Sequence, residues 1–313
     1  MKIPYDRLIF KPASSLLLIG LSIISFASTP NAAKASEQAL PDAGHLVFSG
    51  SVALSNLMTY WTQAFAEQNP SITVTIADPG SITGIDTLIN GTADMVLTST
   101  NISDKQKQAF EQRYGYPPRI IPVAKDALAV YINALNPLKD ISFQELDAVY
   151  SETLRCGMPK PIRTWAELGI KGALAKRWIA VYGLTVETGA TDLFRQTALC
   201  GGDFNQYFQA LAGPAAVQDA LISDISGIGF SSSTMRSAGM RALAVAPNKN
   251  AAAILPVADT IRSSAYPLSR TLAIVVNYPI AKPFTPVMQA FIDFVLSVEG
   301  QSVVDNAGYV SLP

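Results

Sequence analysis

Residues 46–65 read LVFSGSVALSNLMTYWTQAF, and their pattern decides the fold. The apolar run at the start predicts a buried strand, Gly50-Ser51 predicts a turn, and a helix is expected from Leu54 onward. Apolar side chains recur along that helix at the spacing of one helical face. They are Leu54, Leu57, Met58, Trp61 and Phe65. The stretch is therefore interpreted as strand, tight loop and amphipathic helix, with Trp61 and Met58 in a core rather than on a ligand.

The order of strand, loop and helix continues along the chain. Further strands are predicted at 73–77, 95–97, 119–123, 129–133, 180–182, 228–230 and 272–277. Ser142 with Glu145 forms a capping-box pattern that opens a helix, and Thr285-Pro286 opens another. Strands that alternate with helices are typical of an α/β fold with a mostly parallel sheet. Two proline-containing stretches, Asn136-Pro137 and Tyr266-Pro267, are the expected passages between lobes.

The N-terminal 35 residues have the three-part form of a secretory signal. Basic residues come first, an apolar run follows from Leu16 to Ala27, and Ala33-Lys34-Ala35 supplies the cleavage site. A membrane anchor is the alternative, but about a dozen apolar residues are short against the roughly 20 that span a bilayer. Without a cysteine near the cleavage site a lipid anchor is excluded. We expect a cleaved signal peptide over 1–35 and a protein of a Gram-negative periplasm.

The length and charge of the chain indicate how many domains it has and which kinds of partner it can bind. The mature chain is long enough for two domains, because single cores stop growing near 250 residues. The whole chain has a formal charge of −1, and removal of a basic leader leaves a mildly acidic surface. A nucleic-acid-binding protein needs a basic patch, so no nucleic-acid partner is expected. A small anion is not excluded, since a few local groups can hold it.

The sequence contains two cysteines, Cys156 and Cys200. An even number in an exported protein predicts a disulfide, here within one lobe, and closing a loop of this length stabilises by about 4 kcal/mol. A redox pair or half of a metal site is the alternative. The chain has no Cys-x-x-Cys, and His45 is its only histidine, which disfavours both. We therefore expect neither a metal nor a cofactor.

Small residues are concentrated in loops that follow predicted strands, at 49–53, 80–84, 98–101 and 183–190. In an open α/β sheet, ligands bind beyond the carboxyl ends of the strands. The amides at a helix start carry a partial positive charge, and small side chains let an anion approach them. Ordinary turn and cap roles are the alternative for any single loop. Together the loops predict an anion site, and the absence of a Gly-Lys-Ser motif disfavours a nucleotide.

Little in the sequence supports an enzyme. There is no Gly-x-Ser-x-Gly elbow, and His45 lies near the expected mature N-terminus, where we interpret it as a surface residue. Glu187 and Asp94 are possible acids or bases, but nothing places them within reach of each other, and Asp94 is interpreted as a cap or a partner. We assign no catalytic residue.

Several stretches, taken in order, are similar to one known family. They are Gly50-Ser51, Gly80-Ser81, NGTAD at 90–94, AKDALAV at 124–130, GIGF at 227–230, YPLSR at 266–270 and FIDFVLSVEGQ at 291–301. The chain resembles the periplasmic phosphate-binding protein family, the substrate-binding component of the phosphate ABC importer. The resemblance implies a two-lobed, type II-like binding protein. Each lobe is then a mostly parallel sheet flanked by helices, with hinge crossovers, and lobe 1 covers 36–132 and 265–313 while lobe 2 covers 133–264.

The resemblance also implies the ligand site. The corresponding ligand-binding residues are Ala53, Leu54, Ser81, Ser99, Thr100, Thr188, Gly189 and Ala190. The chain departs from the family pattern where Leu184 replaces an arginine and where alanines replace two threonines. A hydrogen bond to a charged group contributes about 1.5 to 3 kcal/mol, so losing the guanidinium costs roughly ten- to a hundred-fold in affinity. Glu187 would add repulsion if it faced the cleft.

Two functions follow from these residues. In the first, a monomer binds phosphate or a related small oxyanion and delivers it to the membrane subunits of an ABC importer. In the second, a diverged scaffold binds a more neutral ligand or a protein, with Ala53, Leu184 and Ala190 as apolar lining. Hydrolysis of phosphate esters is a distant third. An electropositive cleft favours the first function, and an apolar cleft favours the second.

Overall fold

The computed structural model describes residues 44–50, 54–77, 81–186 and 188–313, and the predicted signal peptide lies outside them. Its helices are α1 (Ser55–Gln68), α2 (Ser81–Asn90), α3 (Asp104–Tyr114), α4 (Phe143–Tyr150), α5 (Gly189–Ala198), α6 (Pro214–Ser223), α7 (Ala258–Arg262), α8 (Pro286–Leu296) and α9 (Val298–Asn306). Its strands are β1 (Gly44–Gly50), β2 (Ile72–Ala77), β3 (Met95–Thr98), β4 (Arg119–Asn133), β5 (Asp140–Ser142), β6 (Ala180–Leu184), β7 (Phe208–Leu211), β8 (Gly227–Ser232), β9 (Met240–Ala242), β10 (Ala244–Ala246) and β11 (Ser269–Val276).

Nine of the described strands form one long sheet in the order β2-β1-β3-β11-β4-β8-β6-β7, with β9 also paired to β4, while β5 and β10 pair with each other in a separate two-stranded sheet. Strands β1, β2 and β3 are parallel, as are β6, β7 and β8. The long strands β4 and β11 run antiparallel to their neighbours. Each half of the sheet is therefore mostly parallel, and β4 is common to both halves.

The first apolar core lies between the β1-β3-β11 sheet, α1 and α8. As predicted, the apolar face of α1 is buried there. Phe291 of α8 contacts Phe48 and Phe65 edge to face, with ring centroids 5.6 and 5.1 Å away. Trp61 is fully buried and donates its indole N–H to the carbonyl of Gly300 at 2.8 Å. A smaller cluster on the other face joins α2 and α3 to the sheet through Leu88, Val96 and Phe110.

The second core lies around β6 and β8. Phe230 of β8 stacks on Phe194 of α5 at 4.0 Å, and Phe204 stacks on Phe208 at 4.1 Å. Tyr150 at the end of α4 packs edge to face on Phe194 and is fully buried. Aromatic pairs contribute about 0.5 to 1.5 kcal/mol beyond their burial. This half of the sheet therefore has its own core, separate from that of α1 and α8.

Strand β4 differs from its prediction, because residues 119–133 form one strand rather than two. Its Val123 and Ala124 belong to the first core, while Ala127 and Leu128 belong to the second. The partly polar segment between them, which includes Lys125, suggested a break in the sequence. It stays extended because it pairs with β11 on one side throughout.

Helix starts follow the predicted caps. The Ser142 hydroxyl and the Glu145 carboxylate form the expected capping box of α4, and Thr285 caps α8. The sequence patterns did not predict β5, β7, β9, β10, α7 and α9. Most of these are three to five residues long, too short for a periodic signal. Helix α9 was not predicted as a separate helix because Ser297 is both the C-cap of α8 and the N-cap of α9.

The predicted disulfide between Cys156 and Cys200 is confirmed. It joins the loop after α4 to the end of α5, and Cys156 packs against the second core. No described helix alone is long and apolar enough to cross a membrane, and α8 with α9 meets that test only as a pair bent by 60°.

Candidate functional site

The first loop of the predicted site begins at the carboxyl end of β1. A Cβ on Gly50 would lie 2.5 Å from the carbonyl oxygen of Leu97, so only glycine fits against β3 there. Ala53 lies outside the described residues. Leu54 is 1% exposed and its side chain belongs to the first core, which leaves only its backbone for a ligand.

The second loop precedes α2, and Ser81 is the first residue of that helix. The side chain of Ser81 is outside what the structure describes, as is the whole of Glu187. The hydroxyl role expected of Ser81 stays a prediction, and so does the repulsion that Glu187 would add if it faced the cleft.

The third loop follows β3 and is held by its own hydroxyls. Thr98 is buried, and its Oγ1 accepts the N–H of Thr100 at 3.1 Å and lies 3.2 Å from the Thr100 hydroxyl. Ser99 is 6% exposed and accepts an N–H from Nη1 of Arg270 at 3.2 Å. The predicted ligand residues Ser99 and Thr100 are therefore fixed at the end of β3, next to a cation.

That cation, Arg270, was missed as a site residue in the sequence analysis. It lies in β11 opposite Asp126 of β4. Its Nε and Nη2 both donate to Oδ2 of Asp126, at 2.8 and 2.6 Å, while Oδ1 of Asp126 is buried and accepts no hydrogen bond from any described residue. The side chains are 10% and 2% exposed. Both residues stand in stretches that carried the family resemblance, but a separation of 144 residues gave no sign that they meet.

Tyr309 lies close enough to Asp126 and Arg270 for both charges to affect the pKa of its hydroxyl. The pKa of the Tyr309 hydroxyl is raised to about 12, mainly by burial and also by the charge of Asp126, while Arg270 opposes the rise. The phenol therefore stays neutral at physiological pH. Ser99, Asp126, Arg270 and Tyr309 together make a polar group where β3, β4, β11 and the C-terminal segment meet.

The fourth loop joins β6 to α5. The Thr188 hydroxyl caps α5 by accepting the N–H of Thr191 at 3.2 Å, and it lies within hydrogen-bond distance of the Thr185 carbonyl at 3.1 Å. Gly189 begins α5, so its amide is one of the helix-start amides expected to favour an anion. Ala190 and Leu184 are each 8% exposed and belong to the second core.

The structure therefore joins Ser99 and Thr100 into one group and Thr188, Gly189 and Ala190 into another. Among the described residues no hydrogen bond connects the two groups. The groups lie on opposite halves of the sheet, at the carboxyl ends of β3 and β6.

The described residues contain no group of three or more histidine, cysteine, aspartate or glutamate side chains that could hold a metal ion. His45 is exposed and lies 2.9 Å from the Thr75 hydroxyl. Asp94 accepts the backbone N–H of Val47 at 2.7 Å, in agreement with its interpretation as a structural partner.

Comparisons with known proteins agree with this arrangement. A family profile described as a PBP superfamily domain matches residues 35–299. The chain is 36% identical over 290 residues to the phosphate-binding protein PstS of Pseudomonas aeruginosa, covering 90% of both chains. It is 26% identical to the protein SphX of Synechococcus elongatus, covering 97% of this chain and 87% of that one.

Solved structures show the same fold. An ABC-type phosphate transport receptor from Vibrio cholerae superposes with a TM-score of 0.69 at 21% identity, covering 86% of this chain and all of that one. PstS from Borrelia burgdorferi superposes with a TM-score of 0.64 at 19% identity, covering 86% of this chain and 99% of that one. The expected two-lobed α/β fold is thus confirmed, and the chain belongs to the phosphate-binding protein family of the PBP superfamily.

Proposed function

We propose that the protein binds phosphate or a related small oxyanion and delivers it to an ABC importer. The observation that carries the proposal is the 36% identity, over 90% of both chains, with a protein named for phosphate binding. The relatives are binding proteins rather than enzymes, which agrees with the expectation that the chain has no catalytic residue.

The donors proposed for the oxyanion come from both halves of the sheet. The first half offers the amide of Leu54 and the third-loop hydroxyls, and the second offers the amides at the start of α5. The arginine missing from position 184 has a counterpart in Arg270, which reaches Ser99 from β11. Charge-assisted hydrogen bonds are roughly twice as strong as neutral ones, so this guanidinium supports binding of an anion.

The alternative of a neutral ligand or a protein partner depends on apolar lining. Leu184 and Ala190 lie in the second core with 8% exposure each, so they offer little apolar surface to a ligand. The polar group of Ser99 and Arg270 is the more distinctive feature. The geometry of the described residues therefore favours the oxyanion over the alternative.

We also make proposals about the location of the protein in the cell and about its assembly with other subunits. Since the relatives include a transport receptor, we propose export to the periplasm by cleavage after Ala35, action as a monomer, and docking on importer membrane subunits. We also propose that the two lobes, predicted at 36–132 with 265–313 and at 133–264, are built around the two cores, and that β4 and the stretch from Leu268 to Leu272 run between them.

Calorimetric titration of the mature protein with phosphate, arsenate and sulfate tests the function. We expect saturable one-to-one binding of phosphate and arsenate. No heat with any oxyanion, from a protein with a cooperative thermal transition, would overturn the proposal.

A pair of matched variants locates the site. Thr100→Val removes a hydroxyl from the third loop, whereas Thr92→Val removes an exposed hydroxyl that donates to the Thr87 carbonyl away from the predicted loops. We expect the first variant to weaken phosphate binding several-fold and the second to leave it unchanged. Equal affinities in both variants would place the site elsewhere.

A further inference from the structure

A cavity of about 330 Å³ lies at the edge of the second core, which supplies Tyr131 and Met240 to its lining. It is bounded by β9, by the loop after β8 and by the segment that leads into α7. Its polar lining consists of Tyr131, Arg236, Ser237 and Arg241, and its apolar lining of Met235, Met240, Ala242, Leu255, Pro256, Val257 and Ala258. None of these residues belongs to the four loops of the oxyanion site.

The charge of this cavity is unbalanced. Its lining includes two arginines and no acidic residue. Within the described part of the chain, neither guanidinium forms an ion pair with a carboxylate. On a chain whose overall charge is −1, two unpaired guanidinium groups in one cavity are a local concentration of positive charge. Such a concentration attracts anions.

Arg241 is held in place by the backbone. Its Nη2 donates to the carbonyl of Asn136 at 2.6 Å and also to that of Leu138. No described residue accepts a hydrogen bond from its Nε or Nη1. Burial lowers the pKa of Arg241, which reflects the cost of keeping a cation there without a counterion. The side chain is therefore a fixed donor with unused N–H groups.

Arg236 lies at the rim of the same cavity. Its Nη1 donates to the carbonyls of Ser233 and Met235, the latter at 2.8 Å. Burial raises the pKa of the Tyr131 hydroxyl to about 12, although the charge of Arg236 lowers it. Tyr131 therefore stays neutral, donates to the Ser232 carbonyl at 3.0 Å, and adds no negative charge to the cavity.

The remaining wall of the cavity is apolar and partly open to solvent. Leu255 and Val257 are each 50% exposed, and Met235 and Met240 line the interior. Methionine is unbranched and adapts to ligands of irregular shape. Exposed apolar surface beside fixed polar groups is typical of small-molecule sites.

We propose that this cavity binds a small organic anion, a carboxylate joined to a short apolar chain. The carboxylate pairs with the free N–H groups of Arg241 and with Arg236, since a guanidinium matches a carboxylate in shape and charge. The apolar chain lies along Met235, Met240, Leu255 and Val257. An inorganic oxyanion would leave this apolar wall unused, so the ligand differs in class from that of the cleft.

Titration of the mature protein with hexanoate and with 1-hexanol, which differs in having no charge, tests the proposal. We expect hexanoate to bind at least tenfold more tightly than hexanol, because a charged hydrogen bond contributes that much affinity. Phosphate at saturating concentration should not displace hexanoate. Equal binding of the two probes, or displacement by phosphate, would overturn the proposal. In the second case hexanoate would be occupying the oxyanion cleft.

Variants complete the test. Arg236→Gln and Arg241→Gln should each weaken hexanoate binding about tenfold and leave phosphate binding unchanged. Arg113→Gln is the matched control, since Arg113 is also exposed and donates to a backbone carbonyl, that of Asn90. If Arg241→Gln does not fold, hexanoate binding by the rim variant Arg236→Gln decides whether the site exists. The site would be refuted if Arg113→Gln lost hexanoate affinity to the same extent. It would also be refuted if the protein bound vesicles of anionic lipid but not free hexanoate.

Discussion

At the scale of single residues, several hydroxyls of the oxyanion loops already have structural partners. Thr188 is the clearest case. Its hydroxyl accepts from the Thr191 N–H and donates to the Thr185 carbonyl at 3.1 Å, and it lies 3.0 Å from the Thr191 hydroxyl. A hydroxyl has a single donor proton, so an oxyanion would compete for it. The cap and the proposed ligand contact are therefore linked in one side chain.

Thr188→Ala should lower both the stability and the phosphate affinity. Loss of an N-cap costs about 1 kcal/mol, and loss of a neutral donor weakens binding roughly fivefold. Urea denaturation and calorimetry measure the two effects. Thr285→Ala removes the cap of α8, far along the chain from the loops, and should lower stability alone. If both variants kept the parental affinity, Thr188 would be only a cap.

The pair of Arg270 and Asp126 gives a second prediction. Arg270→Gln leaves the carboxylate of Asp126 buried and unpaired, which costs about 3 to 5 kcal/mol of stability. The double variant with Asp126→Asn should recover much of this stability, because no buried charge remains. The phosphate affinity of the single and of the double variant should stay at least tenfold below that of the parent protein, since both variants lack the Arg270 guanidinium.

The double variant separates folding from binding. Full recovery of phosphate affinity together with stability would show that Arg270 only holds β11 against β4. As a control, Asp192→Asn disrupts the exposed pair of Asp192 and Arg195 and should change stability by less than about 0.5 kcal/mol.

At the scale of elements, periodicity predicted the long helices and the buried strands. The face of α1 that carries Trp61 is buried as expected, and the caps at Ser142 and Thr285 begin their helices. Short strands such as β9 were missed, because three residues carry no period and are fixed by pairing with β4. The meeting of Asp126 with Arg270 was missed for the same reason, since it depends on the register of β4 and β11.

The disulfide ties together two elements around the second core. It spans 44 residues in sequence, so the chain-entropy model gives a stabilisation of about 4 kcal/mol. The double variant with Cys156→Ser and Cys200→Ser should lower the melting temperature by several degrees and leave phosphate affinity within twofold. A large loss of affinity at unchanged stability would mean that the disulfide shapes the ligand site directly.

Asp147 in α4 gives a prediction about pH. Its side chain is fully buried and accepts the N–H of Cys156 at 2.7 Å. Burial raises the pKa of this carboxyl above its usual value, and the hydrogen bond from Cys156 opposes the rise. The folded state therefore holds the proton more tightly than the unfolded state. The stability from this carboxyl is present below the unfolded pKa, about 3.9, and is lost as pH rises through the raised pKa.

Asp147→Asn should remove that pH dependence, because the amide stays neutral and can still accept from Cys156. Urea denaturation at pH 4 and pH 7 measures the difference. We expect the parent to lose stability relative to the variant between the two pH values. A relative gain by the parent would show that favourable contacts of the ionised carboxylate exceed the cost of its burial.

At the scale of the whole molecule, the two cores are joined by a small number of segments. Strand β4 and the stretch from Leu268 to Leu272 run from one core into the other. The lobe boundaries at 132 and 265, predicted from the resemblance, stay a prediction. Asn136-Pro137 was an expected passage, yet its neighbour Leu138 already belongs to the second core.

The C-terminal segment makes a third connection. Val310 forms two backbone hydrogen bonds with Lys125 of β4, at 2.7 and 2.9 Å, and its side chain is buried in the second core. The preceding Tyr309 packs against the first core. Beyond it, Arg262 of α7 donates to the Ser311 carbonyl at 3.2 Å, and the Leu312 N–H donates to Gln301 of α9 at 2.8 Å. The last five residues therefore hold both cores to the crossing point of β4.

Deletion of residues 309–313 should loosen this connection. Burial of a side chain the size of valine contributes about 1.5 to 3 kcal/mol, so stability should fall by at least that amount. Without the tail, β4 and the stretch before β11 alone would limit the motion between the cores. The radius of gyration of the ligand-free protein in small-angle X-ray scattering should rise, and saturating phosphate should reverse part of the rise by bridging the two halves. Deletion of Pro313 alone, an exposed residue, is the control and should change neither quantity. A truncated protein that melts at the parental temperature and keeps the parental radius would show that β4 and β11 alone set the arrangement of the cores.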